Sequence, residues 1–160
     1  AKGLANGSPV GGTIATPEIG DAIRTMTIST FGGNPVTMAA AGATLDVVVG
    51  ERLPERVSEM GDLFFDGLDR LRDRHRFIGD VRGKGLMIGL ELVGEAKTPA
   101  PELTVRLLEL AREEGLLVGR GGLYGNVIRL TPPMTITPDE VEEALQKLGR
   151  AADRLEGAAV

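Results

Sequence analysis

Gly79-Asp80-Val81-Arg82-Gly83-Lys84-Gly85-Leu86-Met87-Ile88-Gly89-Leu90-Glu91-Leu92 decides how this chain folds. Leu86, Ile88, Leu90 and Leu92 alternate with Met87, Gly89 and Glu91. A period of two is that of a strand with one buried face. Phe77 to Val81 reads as a second strand, and Arg82-Gly83-Lys84-Gly85 as the tight turn between the two. The stretch therefore predicts a hairpin.

The flanking sequence supplies helices to cover it. Residues 55 to 75 place Val57, Met60, Phe64, Leu68 and Leu71 at three-and-four spacing, with Glu59, Asp62, Asp69 and Arg70 on the other face. His75 ends this helix among Arg72, Asp73, Arg74 and Arg76 and reads as part of a solvated, charged end. After the hairpin, Gly94, Pro99 and Pro101 mark a loop. Leu103 to Glu114 is a helix stopped by Gly115. Leu116 to Gly119 is a short apolar strand, Gly119-Arg120-Gly121-Gly122 a glycine-rich turn, and Val127 to Thr131 a strand ended by Pro132-Pro133. Thr137-Pro138-Asp139-Glu140 is a capping box opening a last helix, whose core face is Val141, Ala144, Leu145, Leu148, Ala151, Ala152 and Leu155. Ala158 to Val160 are expected to fray. Helix, hairpin, helix, strand, strand, helix is the order of a two-layer α/β sandwich.

The first fifty residues have a different character. Val10 to Ala15 reads as a short, glycine-containing strand. Thr16-Pro17 opens a short helix with Ile19 and Ile23 on its apolar face, and residues 25 to 33 form a loop. Asn34-Pro35 repeats the cap-plus-proline signal. The helix from Val36 to about Val49 is apolar nearly all round, which predicts burial on most sides. Gly50 and Pro54 end it and separate the next helix.

Bulk properties narrow the function classes. A chain of 160 residues with 42% hydrophobic and 26% charged residues suits a soluble domain with a core. A net charge of −5 without a basic block argues against nucleic acid or an anionic membrane as partner. There is no cysteine and one histidine, so no thiolate or multi-histidine metal site is expected. No signal peptide or membrane span is read, and a cytoplasmic location is the expectation.

Three segments carry chemistry. Lys2 lies between Ala1 and Gly3, ahead of Asn6-Gly7-Ser8-Pro9. A lysine beside a glycine is ordinarily a surface lysine, yet there are only four lysines against fourteen arginines. Small neighbours are also what a Schiff-base amine needs if a cofactor face is to approach it. Ser29-Thr30-Phe31-Gly32-Gly33 offers two hydroxyls and glycine amides before a helix, either a phosphate cradle or a plain loop capped by Asn34. Arg129 points away from its neighbours Ile128 and Leu130, and either holds a carboxylate or pairs with an acid of its own domain. Gly83-Lys84-Gly85 lacks the phosphate-loop pattern, since Gly85 and not a hydroxyl follows the lysine.

Lys2 to Pro9, Ser29 to Pro35, Gly79 to Gly89 and Ile128-Arg129-Leu130-Thr131-Pro132-Pro133 occur in the order and spacing of class III pyridoxal-phosphate aminotransferases, which the chain resembles over nearly its whole length. Gly79 to Leu92 and Leu117-Val118-Gly119-Arg120-Gly121 are most similar to the alanine–glyoxylate aminotransferase branch. The resemblance implies fold type I, α/β, with residues 1–50 the end of the large cofactor domain and 51–160 the small C-terminal domain. It implies pyridoxal 5'-phosphate as cofactor, amino acid and 2-oxo acid as substrates, ping-pong transfer between them, and a homodimer or higher homo-oligomer. By this resemblance Lys2 is the Schiff-base lysine. Thr30 reaches the neighbouring subunit's cofactor phosphate, with Ser29 beside it, and Arg129 receives the substrate carboxylate. The family's phosphate-binding turn, ring-stacking aromatic and ring-nitrogen aspartate lie upstream of its lysine. The chain is therefore expected to be the C-terminal part of a longer protein and inactive by itself. Two other readings stay open: another pyridoxal-phosphate reaction, such as an aminomutase or decarboxylase, and a stand-alone α/β dimerisation or interaction domain without catalysis.

Overall fold

The structure, a computed structural model, describes residues 2–157; the expectation for Ala158–Val160 lies outside them. The chain divides into two compact units, Ala1–Leu53 and Pro54–Val160.

In the first unit a 3-10 turn, Gly3–Ala5, is followed by helices α1 (Pro17–Asp21) and α2 (Pro35–Gly50). Residues 10–15 do not form the expected strand. A strand needs a partner ladder, and none of the described strands pairs with this segment. Thr16 precedes α1 in an extended conformation without a side-chain cap, so Pro17 alone presets the first turn. Asn34 does cap α2, accepting from the Thr37 N–H at 3.0 Å. The expected burial of α2 is not met within this chain. No residue of the helix is buried, and Val36 and Val49 are 76% and 73% exposed. An all-round apolar helix has no solvated face of its own, and this unit does not cover it.

The second unit is the predicted sandwich. Its elements are α3 (Leu53–Arg74, beginning one residue before the unit), β1 (Ile78–Lys84), β2 (Met87–Leu92), α4 (Pro101–Glu113), β3 (Gly119–Gly121), β4 (Val127–Leu130) and α5 (Pro138–Gly157). The sheet order is β1-β2-β4-β3, antiparallel throughout. One hydrophobic cluster joins Phe64 and Leu68 of α3, Ile88 and Leu90 of β2, Leu107 of α4, Ile128 of β4 and Leu148 of α5. Truncating any of these to alanine removes about 2–5 kcal/mol. The capping box of α5 is present: the Thr137 N–H donates to Glu140 Oε2 at 2.8 Å, and the Glu140 N–H donates to Thr137 Oγ1 at 3.3 Å.

Three local readings are corrected. The hairpin turn is Gly85-Leu86, because β1 runs through Arg82 and Gly83 and Lys84 pairs with Met87. Gly85 has φ +55°, a conformation that suits glycine, and a Cβ there would lie 2.7 Å from Val57 Cγ1. Gly119-Arg120-Gly121 is strand β3, not a turn, since these residues pair with Arg129, Ile128 and Val127; the strand expected over Leu116 to Gly119 therefore begins only at Gly119, and the turn is residues 122–126. His75 is not solvated. It is 2% exposed, with Nδ1 2.8 Å from Glu156 Oε2 and Nε2 3.3 Å from Asp153 Oδ1, both on α5, and its ring lies against Phe77.

Among the described residues, no helix is long and apolar enough to cross a membrane, and no cluster of three metal-binding side chains occurs.

Candidate active site

The helices bury one face of the sheet and leave the other open. Along β2, Ile88, Leu90 and Leu92 are buried, while Met87, Gly89 and Glu91 face outward. The cross-strand register aligns Arg82 of β1, Gly89 of β2, Arg129 of β4 and Gly119 of β3 in one row. Two cations thus stand on the same face with a glycine between them. The first is neutralised: Arg82 donates to Asp80 Oδ2 at 2.7 Å and to Glu91 Oε2 at 2.5 Å. Asp80 first, then Glu91, holds the Arg82 guanidinium above its ordinary pKa. Glu91 is itself fixed, because buried Asn126 donates to its Oε1 at 3.2 Å and to the Leu92 carbonyl at 3.0 Å.

Arg129 differs. It is exposed, and among the described residues its side chain has no hydrogen bond or ion pair. The alternative of an acid partner in its own domain is not seen in the second unit. Arg129 borders a cleft of about 410 Å³ that continues past Thr131, Pro132 and Pro133 to the start of α5. It also borders a shallow trough of about 570 Å³ over the open sheet face. A guanidinium free on one side, with small neighbours, can take a carboxylate through two parallel N–H···O bonds.

In the first unit, Ser29 to Asn34 form a tight loop ahead of α2. The Gly32 N–H donates to the Ser29 carbonyl at 3.3 Å, and Asn34 Nδ2 donates to the Phe31 carbonyl at 2.9 Å. A Cβ on Gly32 would lie 2.9 Å from both Cβ and Oγ of Ser29, so the loop closes this tightly only around glycine. The hydroxyls of Ser29 and Thr30 are exposed and have no partner among the described residues. Lys2 is exposed at the N-cap of the Gly3–Ala5 turn, and its carbonyl accepts from the Gly7 N–H at 2.8 Å. That turn packs against α2, so one helix supports the lysine turn and carries the hydroxyl loop at its N-terminus.

An exposed amine, two exposed hydroxyls and a glycine loop are a donor set that fits a phosphate-bearing aldehyde. Lys2, Ser29 and Thr30 belong to the first unit and Arg129 to the second. Sequence reading missed the Asp80–Arg82–Glu91–Asn126 network. Its signal was available: Asp80 and Arg82 share a face at period two, opposite Glu91 on the paired strand.

A family model described as Aminotransferase class-III matches residues 1–152. An alanine–glyoxylate aminotransferase 2 homologue of Arabidopsis thaliana, mitochondrial, is 39% identical over 158 residues, covering 97% of this chain and 33% of the relative. An alanine/serine racemase of Pyrococcus horikoshii is 42% identical over 150 residues, covering 94% of this chain and 32% of the relative. Among solved structures, a phospholyase from Arthrobacter in complex with phosphoethanolamine superposes with a TM-score of 0.90 at 32% identity, over 94% of this chain and 36% of that one. An acetylornithine aminotransferase from Elizabethkingia anophelis gives 0.78 at 34% identity, over 88% and 34%. The chain spans about a third of the length of the curated relatives it matches. With the match running through the hydroxyl loop, the hairpin and the arginine strand, the chain belongs to the class-III aminotransferase family.

Proposed function

We propose that this chain is the C-terminal part of a pyridoxal-phosphate aminotransferase that moves an amino group from an amino acid to a 2-oxo acid. The observation that carries the reading is Arg129, a cation left without a partner on a sheet face whose other arginine is fully neutralised. Family membership supplies the context.

Pyridoxal phosphate, when bound, supplies an aldehyde that captures the amino group and a ring that takes up the electron pair released at Cα. The protein's part is positioning and proton movement. Lys2 Nζ is the amine that would hold the cofactor and carry the proton to and from the substrate Cα. Thr30, with Ser29 beside it, would donate to the phosphate of a neighbouring subunit, so the working form is a homodimer or a larger homo-oligomer. Arg129 would fix the substrate carboxylate and so aim the amino group. The same stretch of chain is similar to a racemase and a phospholyase. Those names favour a second reading in which the same groups serve another reaction of this cofactor.

The test is Arg129→Ala in the full-length protein. The Michaelis constant for the amino acid should rise roughly tenfold or more while cofactor affinity stays near wild type, with Arg129→Lys intermediate because a point charge lacks the fork. An unchanged Michaelis constant would make the residue structural. Formation of a 2-oxo acid from the donor, matched by amination of the acceptor, separates transamination from racemisation or elimination.

A further inference from the structure

Gly119 has no conformational need to be glycine. It is absent from the residues with positive φ, which include Gly83, Gly85, Gly115, Gly122 and Gly125. An L-residue could adopt its backbone. Room beyond a methyl group is what it lacks. A Cβ built on Gly119 would lie 3.4 Å from both Nε and Nη2 of Arg129, its partner across the β3–β4 pair.

The opposite neighbour behaves differently. A Cβ on Gly89 would meet Val127 Cγ1 at 3.3 Å, then atoms of Arg82, and no atom of Arg129 is among its three nearest. The Arg129 side chain therefore leans over the β3 edge, away from Arg82, whose guanidinium is turned to Asp80 and Glu91. Leaning this way separates two like charges and leaves the trough over Gly89 clear.

We propose that Gly119 is a positioning residue for carboxylate recognition: its missing side chain is the seat on which the Arg129 guanidinium lies. The inference rests on the reading of Arg129 as the carboxylate receptor. Alanine at 119 would just touch the guanidinium at ordinary contact distance and leave it in place. A β-branched residue would put a γ carbon into the guanidinium's own volume and turn the fork out of line, and a bidentate pair is sensitive to that angle.

The test uses the full-length, cofactor-loaded protein and three probes. Propionate binding is measured by calorimetry, and single-turnover kinetics are measured with L-alanine and with ethylamine, its carboxylate-free counterpart. Gly119→Ala should stay within about threefold of wild type. Gly119→Val should weaken propionate and raise the L-alanine half-saturation by roughly tenfold or more, with ethylamine unaffected. Adding Gly119→Val to Arg129→Ala should weaken propionate no further. If the valine variant does not fold, Gly119→Cys, with a single γ atom, should give an intermediate loss confined to the carboxylates. The inference is overturned if Arg129→Ala weakens propionate and the residue-119 variants bind it like wild type. It is equally overturned if they impair ethylamine as much as L-alanine. If Arg129→Ala itself leaves propionate binding unchanged, the reading of Arg129 fails first and this inference goes with it.

Discussion

Replacing Gly61 by alanine should destabilise the second unit although it improves a helix. Gly61 lies inside α3, where alanine is favoured over glycine by about 1 kcal/mol. Against that stands the hairpin turn. A Cβ on Gly61 would lie 2.7 Å from Gly85 Cα, 2.7 Å from its carbonyl oxygen and 2.8 Å from its carbonyl carbon. All three are backbone atoms of a turn that is itself held against Val57. No flexible side chain can swing aside, so the cost falls near the upper end of the ~1–3 kcal/mol typical of overpacking. The net loss is about 2 kcal/mol, a fall in melting temperature of roughly 6–12 °C for a unit of this size. Gly42→Ala in α2 is the internal comparison. It removes the same helix-interior glycine, but nothing lies within 4 Å of its Cβ. It should stabilise the first unit by about 1 kcal/mol. Thermal melts of the 160-residue chain followed by circular dichroism at helical wavelengths would measure both. If Gly61→Ala raises the main transition as Gly42→Ala raises its own, the close approach of α3 to the hairpin is wrong.

Borohydride treatment of the cofactor-loaded full-length protein should leave the pyridoxyl label on the peptide containing Lys2; a label confined to Lys84, Lys97 or Lys147 would reject the assignment. Glu140 is held below its ordinary pKa by the Thr137 backbone N–H first and the Thr137 hydroxyl second. A carboxyl whose folded pKa is depressed contributes stability that is complete above the ordinary carboxylate range and lost as pH falls through the depressed value. The melting-temperature gap between wild type and Glu140→Gln should therefore be open near pH 7 and close as pH falls below the ordinary carboxylate range, and a gap independent of pH would contradict the capping box. The uncovered α2 surface predicts self-association of the 160-residue chain, since each valine or larger side chain stabilises by about 1.5–3 kcal/mol once buried. Sedimentation should show concentration-dependent mass that drops in a Val36→Lys, Val49→Lys variant, and a single monomeric species across the series would refute this.

What could be read from the sequence follows from how local each signal is. The long helices and the hairpin rest on repeats of three-and-four or two, together with caps such as Asn34 and Thr137, and these sit where expected. The errors occur where a residue far along the chain decides. Arg82 and Gly83 look like a turn, yet β1 continues through them because Arg82 finds Glu91 across the ladder. His75 is surrounded in sequence by charges that suggest solvent. Its burial is set by Asp153 and Glu156 on α5, the latter 81 residues away. Val10 to Ala15 has a strand's composition but no partner strand among the described residues.

The site shows the same division at finer scale. That Arg129 faces away from Ile128 and Leu130 follows from strand periodicity alone. That it has no partner does not, because pairing depends on which acids lie near it on that face, and Arg82 takes both Asp80, from its own strand, and Glu91, from across the ladder. The glycines of Gly119-Arg120-Gly121-Gly122 read as a turn because glycine most often signals a conformation other residues avoid. Gly122, with φ +84°, is glycine for that reason. Gly119 is not: its backbone is permissive, and the space beyond a methyl group there is taken by a guanidinium ten residues later in the chain. A glycine that keeps room for a neighbour's side chain and one required by its own backbone are identical in sequence. Only the fold separates them, and in this chain the first kind lies beside the group that would recognise the substrate.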